Sequence, residues 1–176
     1  MRWGYRIWQF FMRLGGIAAD EDLQLARGVL HDEAWALFQS MPRGDRWHGV
    51  CVLRSIRRLE RAVSRDLAQA ALLHDVGKAS GGLTLAHRTL IVILGRVAPE
   101  LLERIASATE RSWCYPFHVH LHHAQLGATR CALANCSSRT VLLVRHHETR
   151  ARALDDSEIN PHDTELAALQ EADDRC

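Results

Sequence analysis

Ala70-Ala71-Leu72-Leu73-His74-Asp75-Val76-Gly77-Lys78 is the stretch on which the reading of this chain turns. Its run of alanines and leucines places a helix in the core. An imidazole and a carboxylate then stand side by side at its buried end. An ionised aspartate buried without a partner is costly. The pair therefore calls for a compensating cation or a hydrogen-bond network, and a divalent metal shared by imidazole and carboxylate supplies one. Gly77 is expected to stop the helix. That leaves Lys78 beside the pair, where its ammonium can meet a phosphate as a point charge.

Outward from this stretch, nearly every segment has helical periodicity or a helix signal. Asp20 can cap a helix to about Leu30, and Asp32 to Met41 forms a second. Pro42-Arg43-Gly44-Asp45 reads as a turn, followed by a helix from Arg46 to Arg61. Ser64 caps the helix that carries His74. Leu83 to Val97 is an apolar helix, and Pro99 opens another to about Ala106. Trp113 to Phe117 reads as an aromatic loop, with a helix from His122 to Ala134 after it. Ser137 or Ser138 caps a helix that ends at His146-His147. Asp155 to Asn160 reads as loop, and Pro161 starts the last helix. No segment alternates as a strand would. The expected fold is an all-α bundle of about eight to ten helices: residues 1–44 pack as accessory helices on a domain over 45–176, with a helical insert at about 80–117.

The chain has 176 residues, enough for one domain with its own core. Lys plus Arg is 22 against 21 for Asp plus Glu, so net charge gives no drive toward nucleic acid, and no specific nucleic-acid partner is expected. The five cysteines, Cys51, Cys114, Cys131, Cys136 and Cys176, form no CxxC pair and read as reduced thiols in a cytoplasmic protein. No run is long and apolar enough for a membrane span. Within residues 1–14, Arg2, Arg6, Gln9 and Arg13 share one helical stripe, and Trp3, Ile7, Phe10, Phe11 and Leu14 share the other. Such a helix most often caps a core. The alternative is weak contact with an anionic membrane surface.

Histidine stands out, with 11 residues, of which His118, His120, His122, His123, His146, His147 and His162 crowd the last third of the chain. Histidine is the commonest transition-metal ligand among side chains. His48 lies on the apolar side of its helix. Leu121-His122-His123-Ala124-Gln125-Leu126-Gly127-Ala128 puts histidines in the expected first turn of another. Val144-Arg145-His146-His147-Glu148 closes an apolar helix. Adjacent helical residues point about 100° apart, so one or both of His146 and His147 can reach a common site. Leu166 to Asp174 is an apolar helix ending in carboxylates.

His, then His-Asp-x-Gly-Lys, then His-x-x-x-Gly-Ala, then His-His-Glu, then Ala-Asp, in that order over residues 45–174, resembles the HD-domain phosphohydrolase superfamily. The resemblance implies an all-α fold. It also implies His48, His74, Asp75 and Asp173 as the basic metal site, with His123, His146 and His147 as the further ligands of two-metal members. The choice of His123 over His122 rests on the spacing to Gly127-Ala128. The Gly-Tyr-Pro motif of the cyclic-dinucleotide-degrading branch is absent: Thr149-Arg150-Ala151-Arg152 stands there, so cyclic di-GMP is not the expected substrate.

The expected activity is hydrolysis of a phosphate ester, most simply of a nucleotide, by a metal-activated water. Mixed imidazole and carboxylate ligands suit Fe, Mn, Co or Zn, with Mg less favoured, and the full set suggests two ions. Asp75 would bridge the ions and take a proton. Lys78 and Arg145, with Arg150 as a further candidate, would neutralise phosphate charge. Trp47, Trp113, Tyr115 and Phe117 are candidates to stack a base, or else core. The insert is open to three readings: a lid, a core layer or a homodimer face. Two alternatives to the hydrolase are a non-catalytic HD signalling or binding module that keeps a structural metal, and metal-dependent oxidation.

Overall fold

Ser64 begins the helix that ends in the His-Asp pair, its hydroxyl accepting the Leu67 N–H at 3.0 Å. The computed structural model describes residues 20–59, 62–82, 84–106, 113–149, 160 and 163–176. Among these it has nine α-helices and no strand, the all-α bundle expected from periodicity. They are α1 (Asp20–Val29), α2 (Asp32–Gln39), α3 (Arg43–Leu59), α4 (Arg65–Leu73), α5 (Leu85–Val97), α6 (Pro99–Ala106), α7 (Tyr115–Leu133), α8 (Ser138–His146) and α9 (Thr164–Arg175). A 3-10 turn, Val76–Ser80, follows α4. No helix among the described residues is long and apolar enough to cross a membrane. The basic aromatic stretch at residues 1–14, Arg150, most of the polar stretch from Asp155, Pro161 and His162 lie outside the described residues.

The core centres on α4. Leu67 through Val76 are all buried, because α3, α8 and α9 pack around this short helix. Fully burying one leucine contributes about 1.5–3 kcal/mol, so the leucines of this run anchor the His-Asp pair. Two glycines permit close approaches beside it. A Cβ at Gly49 would stand 2.8 Å from the Leu72 carbonyl oxygen, so glycine there lets α3 lie against α4. A Cβ at Gly77 would stand 2.0 Å from the His123 carbonyl oxygen, which brings the 3-10 turn onto the backbone of α7. The insert has a small core of its own, in which Ile91, Leu102, Ala106 and Phe117 are buried together.

Four expectations are corrected. The Pro42 turn is the start of α3: the Pro42 carbonyl accepts from both Asp45 and Arg46 N–H at 3.0 Å, and a proline ahead of a helix sacrifices no needed donor. The loop expected over Trp113 to Phe117 ends at Cys114. Helix α7 starts at Tyr115, with Pro116 in the first turn, so His122 and His123 sit in mid-helix and not at its beginning. The helix bearing His74 stops at Leu73 and not at Gly77. Asp75, at φ −92° and ψ 4°, turns the chain into the 3-10 segment.

The fourth concerns the cysteines. Cys51 and Cys176 form a disulfide between residues 125 apart, and Cys114, Cys131 and Cys136 are free. Sequence spacing carries no trace of this pairing, because it depends on α3 and α9 lying side by side. Cys131 and Cys136 have another role. Asn135 adopts φ 56°, and the N–H groups of Cys136 and Asn135 bond the carbonyls of Cys131 and Ala132 at 3.0 and 3.1 Å. These are the two bonds that close a helix in a Schellman motif.

Candidate metal centre

Six of the expected ligands converge in two groups: His48, His74 and Asp173 form one, and Asp75, His123 and His147 form the other. Within each group the ligand-type atoms lie within 4.8 Å of one another. The imidazoles form a chain of edge-on contacts, with ring centroids 5.1 Å apart for His48 and His74, 5.1 Å for His74 and His147, and 5.2 Å for His123 and His147. The two groups are therefore one continuous centre.

Asp75 is its hub. Its Oδ1 lies 3.7 Å from His74 Nε2, 3.5 Å from His123 Nε2 and 3.9 Å from His147 Nε2. Lys78 Nζ meets the same oxygen at 2.6 Å and is the cation that balances it. His48 Nε2–H donates to Asp173 Oδ1 at 2.7 Å, and the same oxygen stands 3.6 Å from His74 Nε2. That places Asp173, near the end of α9, against α3 and α4.

One local device aims three of the four rings. His74, His123 and His147 each donate Nδ1–H to the backbone carbonyl three residues earlier: Ala71 at 3.0 Å, His120 at 2.7 Å and Val144 at 2.7 Å. A carbonyl only accepts, so the proton is on Nδ1 and the lone pair is on Nε2, facing the centre. This is how metal-ligating histidines are normally oriented. His74 Nε2 and His123 Nε2 are buried and have no hydrogen-bond partner. Buried polar atoms are seldom left so. One orphaned lone pair per group, beside carboxylates, fits a cation in each, so these residues can hold metal.

The electrostatics agree. Burial would raise the pKa of Asp75, but Lys78, His74 and His123 outweigh it and hold the carboxyl well below its usual range. Burial likewise opposes ionisation of Asp173, but the hydrogen bond from His48 and the nearby His74 overcome it and hold the carboxyl below its usual range. Burial drives His147 down to about 3, helped by the neighbouring His74, so its ring is neutral. Burial also lowers His74, but Asp75 and Asp173 reverse the sign and raise it. The centre thus holds ionised carboxylates beside a neutral His147.

No protein-family model, curated protein or solved structure matches this chain. Its chemistry is accordingly read from its own residues.

The remaining expected residues lie around this centre. His123 is fully buried within it, whereas His122 is exposed and stacks toward His118 at 4.5 Å between ring centroids. His147 belongs to the centre. His146, half-buried, joins neither group. Arg145 is also half-buried, on the last turn of α8. Of the aromatic candidates, Phe117 is wholly buried in the insert's core, Tyr115 stacks on His118, Trp113 is 70% exposed, and Trp47 lines a separate cavity. Glu148 was not among the expected site residues. Its carboxylate stands 3.5 Å from His123 Nε2 and is half-exposed, at the rim. Its place directly after His146-His147 was the available signal.

Proposed function

We propose that this chain is a metal-dependent phosphohydrolase of the HD type, acting on a small phosphorylated substrate, most simply a nucleotide. One observation carries the proposal: the buried, unpartnered Nε2 atoms of His74 and His123, one in each of two adjoining His/Asp groups. A centre with two such positions suits phosphoryl transfer, in which both the attacking and the leaving oxygen need stabilising. Bound divalent ions would supply Lewis acidity and acidify a water.

The chain's own residues supply the rest. Asp75 Oδ1, within 4 Å of imidazoles from both groups, holds the two halves together electrostatically. Lys78, part-exposed on the 3-10 turn, is close enough to exchange its contact with Asp75 for a phosphate oxygen. Arg145 adds a second positive group on α8. Glu148, at the rim, is positioned to take up a proton from solvent water.

The test is a panel of nucleotides and simple phosphoesters assayed with Mn, Fe, Co, Zn and Mg in turn, alongside elemental analysis of the purified chain. Phosphate release that requires metal and disappears in Asp75→Asn supports the proposal. A protein that neither contains nor takes up a transition metal refutes it.

A further inference from the structure

Cys51 lies one helical turn beyond His48 on α3, and Cys176 lies three residues beyond Asp173 at the end of α9. The disulfide and the His48–Asp173 hydrogen bond are therefore consecutive rungs between the same two helices. The disulfide also borders a cavity of about 440 Å³ whose wall includes Asp22, Trp47, Arg54, Arg58 and Arg175. Arg54 is tied to Asp22 at 2.6 Å and Arg175 to Glu171 at 2.5 Å, while Arg58 is exposed and has no ion-pair partner among the described residues. A reducible bond at the edge of a basic cavity is open to a small thiol that carries carboxylates.

We propose that Cys51–Cys176 is a thiol–disulfide exchange site, opened by a small anionic thiol entering this arginine-lined cavity, and that its opening loosens the His48–His74–Asp173 half of the centre. The coupling to metal rests on the metal-centre reading above; the exchange itself does not. Cys51 is half-buried and Cys176 is 8% exposed, so Cys51 Sγ is the more accessible sulfur. The incoming thiolate bonds to Cys51 Sγ, the S–S bond breaks, and its electron pair leaves on Cys176 as a thiolate beside Arg175. A second thiol attacks the mixed disulfide. It releases Cys51 and departs as the oxidised small-molecule disulfide, so two electrons and two protons pass from two thiols to the protein. With the covalent rung gone, Asp173 is held by the last turn of α9, and the last turn of a helix opens more readily than its middle.

The test treats the oxidised 176-residue chain with glutathione or with uncharged 2-mercaptoethanol and follows exchange by intact mass. Manganese affinity is measured by equilibrium dialysis before and after. The expected results are a mixed disulfide on Cys51, and an affinity for one of the bound ions that falls about ten- to a hundredfold on reduction. The rate ratio of glutathione to 2-mercaptoethanol should fall in Arg58→Gln. Cys176→Ser should show the reduced-state affinity under all conditions, with far-UV circular dichroism confirming its helical content. Failure of both thiols to open the bond in the folded chain overturns the exchange site. Reduction that leaves manganese affinity unchanged overturns the coupling. Manganese bound by neither form overturns the metal-centre reading and the coupling with it, while the mass measurement still decides on exchange.

Discussion

His48 Nε2 donates to Asp173 Oδ1 at 2.7 Å, joining residues 125 apart in the chain. The contact closes the bundle between α3 and α9. It also places the carboxylate in the same group as His74. Packing and site are therefore the same contact here.

His74→Ala and His123→Ala each remove one orphaned nitrogen from a different group. Each should lower the metal content of saturated protein from about two ions to about one, and the double variant should hold essentially none. Elemental analysis after dialysis reads this. Equal loss of both ions in either single variant would point to one shared site.

Asp75→Asn removes the charge at the hub and leaves Lys78, whose side chain is 16% exposed, without its carboxylate at 2.6 Å. Beyond loss of activity, the metal-free protein should lose about 3 kcal/mol, the lower end for breaking a buried pair from one side. Asp75→Asn with Lys78→Met should recover part of that loss in urea unfolding, because no lone ammonium is then left behind.

Gly77→Ala places a methyl where the His123 carbonyl oxygen stands 2.0 Å away. The 3-10 turn and α7 must separate. The expected cost is about 1–3 kcal/mol, with weaker metal retention, since the shift carries His123 away from Asp75. Gly28→Ala, where nothing lies within 4 Å of the new methyl, is the control and should not destabilise.

His147 has its pKa lowered to about 3 by burial and by the rings of His74 and His123. The folded state therefore excludes a proton that the unfolded chain accepts below about 6.5. Its contribution to stability is complete above that pH and declines as the pH falls from about 6.5 toward 3. His74, raised by its carboxylate neighbours, acts in the opposite sense: its contribution is full below about 6.5 and is lost as the pH rises through its folded value. His147→Gln should flatten the acid side of the profile of the metal-free protein. Urea midpoints between pH 7 and pH 4 give the slope, and an unchanged slope would mean that His147 is not buried neutral.

Cys176→Ser opens a link that spans 125 residues. The unfolded chain regains the closure entropy, so the variant should be about 2–4 kcal/mol less stable than the oxidised protein. Reduced wild-type protein should match the variant, and guanidinium unfolding with and without reductant makes the comparison.

Much of this was legible before the fold. Helical periodicity, Ser64 and Ser137 as caps and Pro99 as a helix start needed only local rules, because a cap bonds its own next turn. The buried His74-Asp75 pair was legible for a related reason: two polar residues ending an apolar run require a partner wherever the run packs. The start of α7 was misread because Trp113 to Phe117 holds a proline among aromatics, which is a loop signal unless the proline occupies the first turn, as Pro116 does.

The sequence by itself determined the candidate ligand types, their order and the helical segments that bring them. It left open which member of each adjacent pair faces inward, since neighbours on a helix point about 100° apart and only packing chooses between them. Tertiary structure turned His123 inward and left His122 exposed, divided the candidate ligands into two groups with Asp75 facing both, and brought Glu148 to the rim. It also paired Cys51 with Cys176, because α3 and α9 meet along their length and no local spacing encodes which distant helix becomes a neighbour.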